Sequence, residues 1–230
     1  MKVKVAIKRE QSQACLSSAE REQAQRESSF LVKVCGMREA DNIREVEQLG
    51  INLMGFIFWP RSSRYVSEPP AYLPTHCQRV GVFVNEKAEQ VRRIADAYAL
   101  DLIQLHGQES PAYIQQLAAP QRIIKAFNIA TPDDLQQTEP YAGVADYFLF
   151  DTKGKSVGGN GEKFDWTVLD AYQGETPFLL SGGIGPDDAA RVLAFHHPKC
   201  VGIDLNSRFE SAPALKHTDA ISRFLEELKK

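Results

Sequence analysis

Two short apolar runs in this chain each end in a group that can carry a proton. Lys33-Val34-Cys35-Gly36 closes one run with a thiol and a glycine, and Tyr147-Phe148-Leu149-Phe150-Asp151 closes another with a carboxylate. A free thiol titrates near about 8.5, so a small fraction is thiolate at neutral pH. Lys33 shares a strand face with Cys35 and is expected to raise that fraction, giving a nucleophile or a general base. Asp151, enclosed at the mouth of a fold, is suited to give up a proton, and the two make a base and an acid. Each has a plainer reading: unpaired cysteine often packs as a small hydrophobe, and aspartate often starts a turn.

Other residues suit a phosphorylated, carboxylate-bearing small molecule. Gly182-Gly183 and Asn206-Ser207 each follow an apolar run, and loops of this kind can cradle phosphate with backbone N–H groups. Arg64, in Trp59-Pro60-Arg61-Ser62-Ser63-Arg64-Tyr65, offers a guanidinium fork for a carboxylate, and Arg61 is the alternative. A glycine-rich segment, Lys153 to Gly161, stands beside Asp151 and suits a lid or an ordinary surface loop. It lacks the Gly-Lys-Ser/Thr tail that opens a helix in a nucleotide-binding loop.

These groups need a frame that brings their tips together. Strands are expected at 31–35, 53–58, 79–84, 102–106, 122–127, 146–151, 177–182 and 200–205, from β-branched or aromatic runs. Helices are expected at 39–49, 68–75, 86–98, 110–118, 132–139, 165–172, 186–195 and 217–229. Asn85, Ser110, Thr131 and Asp165 stand where helix N-caps belong, and Gly50 where a C-cap belongs. Alternation of this kind implies a parallel sheet under helices, and its eightfold repeat favours a closed (β/α)8 TIM barrel over an open sheet. Cys35-Gly36-Met37-Arg38 is also not the glycine turn that opens a dinucleotide-binding sheet.

Period-two alternation puts Lys33 with Cys35, Gln104 with His106, Lys125 with Ile123 and Phe127, and Asp204 with Asn206. With the polar sets turned inward, Lys33 or Lys125 is expected to meet an acid such as Asp204, because a buried charge needs a partner.

The chain has 230 residues and is 43% hydrophobic, enough for one sizeable domain. A net charge of −3 argues against a nucleic-acid or anionic-membrane partner, and no apolar stretch approaches the roughly 20 residues that span a bilayer. Residues 1–29 are rich in Gln, Glu, Ser and Arg and lack a secretory apolar segment, so they read as a disordered or loosely helical polar extension before a domain at 30–230. Cys15, Cys35, Cys77 and Cys200 have no paired spacing, so neither zinc nor a disulfide framework is expected, and a reducing cytoplasm is the simplest setting.

Taken in order, Lys-Val-Cys-Gly at 33–36, Gly-Phe-Ile-Phe at 55–58, Ser-Xaa-Arg-Tyr-Val ending at Val66, and Val-Gly-Val-Phe-Val-Asn at 80–85 form a specific set. Gln-Leu-His-Gly at 104–107, Phe-Asp-Trp at 164–166 and Ser-Gly-Gly-Ile at 181–184 extend it. From about Leu31 to Leu228 the chain resembles the phosphoribosylanthranilate isomerases of tryptophan biosynthesis. The resemblance implies a barrel without metal or organic cofactor. The implied enzyme interconverts an aldose and a ketose by an Amadori rearrangement and acts on a small phosphorylated substrate; a monomer or homodimer is expected.

By the same resemblance Asp151 protonates the ribose ring oxygen and Cys35 removes the proton from the sugar C2. Arg64 faces the anthranilate ring and its carboxylate, Gly183 and Asn206 lie at the phosphate beside Gly182 of the same turn, and Asp204 stands at the supporting strand tip. The chain departs from the family pattern at Arg38, at Arg208 after Asn206-Ser207, and at Ala214 and His217. Indole-glycerol-phosphate synthase, whose chemistry leans on lysine and glutamate, and a non-catalytic phosphometabolite sensor are the competing readings.

Overall fold

The computed structural model describes residues 30–152 and 165–230, so the polar extension and the glycine-rich segment after Thr152 lie outside the described residues. Eight parallel strands close into a barrel in sequence order: β1 (Leu31–Cys35), β2 (Leu53–Ile57), β3 (Gln78–Phe83), β4 (Leu102–Leu105), β5 (Arg122–Ile129), β6 (Tyr147–Thr152), β7 (Phe178–Ser181) and β8 (Cys200–Leu205). Closure is made by β8 on β1, with Leu31 opposite Gly202, Val32 opposite Ile203 and Lys33 opposite Asp204. All eight strands fall within two residues of the expected runs, because β-branched and aromatic side chains suit a wall buried on both faces.

The barrel interior is a layer of Leu53, Val80, Leu102, Ile124, Ala126, Leu149 and Leu179, all buried. Side chains two apart on a strand share a face, so this layer determines which residues point inward higher up. Above Leu102 come Gln104 and His106, above Leu149 comes Asp151, and above Leu179 comes Ser181. On β5 the inward residues are Ile124 and Ala126, which turns Lys125 to the outer face, contrary to the expected inward set. Lys125 is satisfied there without Asp204: its ammonium donates to the carbonyls of Leu105, Gly107 and Ala126 and lies 3.3 Å from Glu109. Burial draws its pKa down, with Glu109 opposing.

Five α-helices are present among the described residues: α1 (Ala40–Gln48), α2 (Ala88–Ala97), α3 (Pro111–Leu117), α4 (Ala189–Ala194) and α5 (Thr218–Glu227). Their apolar stripes face the sheet, as in α5, which buries Ala220, Ile221, Phe224 and Leu225. Each such side chain taken from water contributes roughly 1.5–3 kcal/mol if large. Ser110 caps α3 as expected, its hydroxyl accepting from Tyr113 N at 3.1 Å. Asp165 accepts from Thr167 N at 3.0 Å, and Gly50 takes a positive φ of 75° just beyond α1. His217 caps α5, its ring Nδ1 accepting from Ala220 N at 3.3 Å.

Three expected helices differ. No helix forms at 68–75, where Pro69, Pro70 and Pro74 remove amide donors and disfavour helical geometry in the residues before them. That segment is instead pinned by Glu47, whose carboxylate accepts from Tyr72 Oη and from the backbone N–H groups of Thr75 and His76. The stretches after β5 and β6 are 3-10 turns, Pro132–Tyr141 and Trp166–Ala171, the first carrying Pro140 inside it. Asn85 is no helix cap; at φ 50° its side-chain oxygen accepts from Gln108 N at 2.7 Å and ties the β3 loop to the β4 loop. A hairpin of β9 (Glu210–Ala212) and β10 (Leu215–Lys216), not expected from the sequence, follows β8.

No helix among the described residues is long and apolar enough to cross a membrane.

Candidate active site at the barrel mouth

Cys35 is the last residue of β1 and Asp151 the last but one of β6, so both stand at the C-terminal ends of parallel strands. In barrels of this kind that end carries the chemistry. Cys35 is 3% exposed, and the Asp151 side chain is 17% exposed. Between them the strand tips form a polar rim. Asp151 lies opposite Ser181 in the β6–β7 register, and the Ser181 hydroxyl donates to Asp204 Oδ2 at 3.3 Å. Asp204 Oδ1 in turn receives Lys33 Nζ at 2.8 Å, so the expected lysine–aspartate pair forms with Lys33.

That pair changes the outlook for the thiol. Burial pushes Cys35 above its ordinary range; Lys33 pulls it down, Asp204 pushes it up again, and Lys216 pulls it down. Lys33 does not win, contrary to the expected rise in thiolate, because its charge is already compensated by Asp204 and the sulfur lies in a desolvated wall. Alkylation of Cys35 by a small neutral haloacetamide, read on its peptide by mass spectrometry, is therefore expected to speed up about tenfold per pH unit between roughly pH 7 and 9. Levelling off at or below about pH 8 would show that the cations prevail after all.

The thiol's place is set by its neighbour on β2. Gly55 lies opposite Cys35, and a Cβ built on it would stand 2.7 Å from Sγ and 3.1 Å from the Cys35 Cα. Gly55→Ala must therefore shift the thiol or the strand. A displacement near 1 Å at a reacting group can lose about a hundredfold in rate; with Cys35 as the base that the sequence suggests, kcat is expected to fall on that order while the circular dichroism spectrum stays that of the wild type.

A second cluster was not legible beforehand. Arg64 presents its side-on edge to Glu210, with Nε 2.8 Å from Oε1 and Nη2 2.6 Å from Oε2. Lys216 Nζ joins Glu210 Oε1 at 2.6 Å and Asn206 Oδ1 at 2.8 Å. Burial alone would raise the Glu210 carboxyl, but hydrogen bonds from Arg64 and Lys216 hold it below the ordinary range. Glu210 and Lys216 come from the β9–β10 hairpin, and nothing in their local sequence sets them apart from surface charges. Arg61 is exposed and Arg64 half-buried, which separates the two candidate arginines. Nη1 of Arg64 has no hydrogen bond among the described residues, so the fork's outer edge remains for a ligand. Gly36, at φ 80°, allows this convergence: a Cβ there would lie 2.6 Å from Arg64 Cδ and 3.0 Å from Asn206 Oδ1.

On the β7–β8 side, Gly182 and Gly183 both take positive φ, 93° and 71°. Gly185 N donates to Asp188 Oδ2 at 2.8 Å and closes the turn into α4. Arg208 lies against this loop; a Cβ on Gly185 would stand 3.1 Å from its Cδ, and one on Gly183 4.0 Å from its Nε. The mouth thus carries an acid near β6, a thiol at β1, an anchored guanidinium beside it, and a glycine turn with a cation at β7–β8.

Known proteins share this arrangement of fold and sequence. The sequence model of the N-(5'phosphoribosyl)anthranilate (PRA) isomerase family matches residues 32–227. An N-(5'-phosphoribosyl)anthranilate isomerase of Phocaeicola vulgatus is 52% identical over 201 residues, covering 87% of this chain and 98% of that protein. The crystal structure of phosphoribosyl anthranilate isomerase from Thermotoga maritima superposes with a TM-score of 0.75 at 30% identity, over 87% of this chain and 98% of that one. A phosphoribosyl anthranilate isomerase solved in complex with reduced 1-(o-carboxyphenylamino)-1-deoxyribulose 5-phosphate superposes at 0.73 with 28% identity, over 87% of this chain and 98% of that one. With eight strands closed in sequence order and the family pattern running from β1 into α5, the chain belongs to the N-(5'-phosphoribosyl)anthranilate isomerase family.

Proposed function

We propose that residues 30–230 are a catalytic barrel that converts N-(5'-phosphoribosyl)anthranilate to 1-(2-carboxyphenylamino)-1-deoxyribulose 5-phosphate in tryptophan biosynthesis. In this reading the enzyme works in the cytoplasm as a monomer or homodimer. The observation that carries the reading is the placement of Cys35 and Asp151 on inward-facing strand tips of one closed barrel in a chain of this family. Asp151 gives its proton to the ribose ring oxygen as the C1–O bond breaks, leaving an iminium between C1 and the anthranilate nitrogen. The iminium acidifies C2, and Cys35, acting from its minor thiolate form, takes that proton to form an enolamine, which tautomerises to the ketoamine. One turnover leaves Cys35 protonated and Asp151 ionised, and a proton returned from the thiol to the carboxylate restores the start.

Arg64 holds the anthranilate carboxylate with the edge that Glu210 leaves open. Gly182, Gly183 and Asn206 receive the phosphate, with Arg208 as an added cation, and Asp204 supports the rim through Lys33 and Ser181. Arg64→Lys keeps the charge but loses the planar fork, so KM is expected to rise at least about tenfold with a smaller change in kcat, measured in the steady state.

Freshly made phosphoribosylanthranilate mixed with the full chain is the direct test, because anthranilate derivatives fluoresce and the signal decays as substrate is consumed. Decay no faster than in buffer would sink the isomerase reading and leave the phosphometabolite sensor, which needs neither Cys35 nor Asp151. Release of carbon dioxide with an indole product from added 1-(2-carboxyphenylamino)-1-deoxyribulose 5-phosphate would point to indole-glycerol-phosphate synthase instead.

A further inference from the structure

Gln104 and His106 project inward from β4 and the residue just beyond it, and they connect to Asp151. Gln104 is 1% exposed, and its Nε2 lies 3.0 Å from His106 Nδ1. The other ring nitrogen, Nε2, lies 3.7 Å from Asp151 Oδ2. We infer that Gln104 is a positioning residue: it fixes the tautomer of His106 so that an N–H, not a lone pair, faces the carboxyl group of Asp151. The inference rests on Asp151 being the acid of the reaction.

An amide nitrogen only donates, so His106 Nδ1 must accept from it, and the ring proton then sits on Nε2. Turning the amide over would set Oε1 against Nδ1 and call for a proton there; the two choices are linked. Gln104 Oε1 is buried with no partner among the described residues. Turned over, the amide would place its NH2 group in that unpartnered position, and a buried donor without an acceptor is the rarer defect.

The tautomer matters to the acid. When Asp151 protonates the ring oxygen, its own O–H bond breaks, a new O–H bond forms on the sugar, and the charge stays on the carboxylate. An N–H on His106 Nε2 can donate to that charge as it appears while remaining intact. A lone pair in the same place would accept the carboxyl proton and compete with the ring oxygen for it. At 3.7 Å the contact exceeds a hydrogen bond, and such contacts commonly tighten when substrate is bound.

The test is nitrogen-15 NMR of the full chain labelled at histidine, with the His106 signals identified by their loss in His106→Asn. The wild type is expected to show a bare Nδ1 and a protonated Nε2; a protonated Nδ1 overturns the inference, and this reading does not depend on any Gln104 variant folding. Gln104→Glu offers Nδ1 an acceptor and is expected to move a proton onto it. That proton either strips Nε2 or, with both nitrogens protonated, holds Asp151 ionised, so kcat should fall about ten- to a hundredfold with KM nearly unchanged. Protonation of Nδ1 in Gln104→Glu with undiminished kcat overturns it too. If Asp151→Asn keeps full turnover, the acid assignment itself has failed, whatever tautomer His106 shows.

Discussion

Cys35→Ala is expected to lower kcat by about a hundredfold to ten-thousandfold, the usual contribution of a positioned base, while the barrel folds as before. The thiol sits at the end of β1, and its charged neighbour Lys33 retains Asp204 at 2.8 Å when the sulfur is gone. Losing one buried sulfur leaves a small cavity, which costs on the order of 1 kcal/mol. Thermal melting should therefore move by only a few degrees. Binding of reduced 1-(o-carboxyphenylamino)-1-deoxyribulose 5-phosphate should survive, because the proposed carboxylate and phosphate contacts lie at Arg64, Gly183 and Asn206. Turnover at the wild-type rate would remove Cys35 from the mechanism and make it the small buried hydrophobe of the plainer reading.

Asp151→Asn is the second large effect. The amide matches the carboxyl in shape but cannot deliver a proton, so ring opening loses its acid, and kcat should again drop by about 10²–10⁴. The neighbouring His106, 3.7 Å away, is a poor substitute if its Nε2–H points at the mutated side chain. Combining the two substitutions should cost much less than the product of the single losses, since both serve one proton circuit and removing either already breaks it. A fully multiplicative loss would indicate two independent contributions. The single-turnover fluorescence decay of each variant, followed at saturating enzyme, separates these outcomes from changes in product release.

Much of this protein was legible in its sequence, and the reason is local. Strand runs, the period-two order of side chains along them and the caps at Ser110 and Asp165 depend on sterics and hydrogen bonds within a few residues. The expected helix at 68–75 failed on equally local grounds, since Pro69, Pro70 and Pro74 were there to be weighed. The placing of Cys35 and Asp151 at strand ends followed from the same local pattern.

What only the folded chain decided depends on closure. Lys33 and Asp204 are 171 residues apart, and their pairing across β1 and β8, which cancels the cation expected to activate the thiol, exists only because the barrel shuts. Arg64 and Glu210 are 146 residues apart, and the hairpin that brings Glu210 and Lys216 to the mouth has no local mark of that role. Lys125 reads as an inward residue until the packed layer of Ile124 and Ala126 settles which face of β5 is the interior. Alternation specifies that two faces exist; which one is buried inside, and which charges meet there, is set by desolvation and pairing among groups that come together only in the tertiary structure.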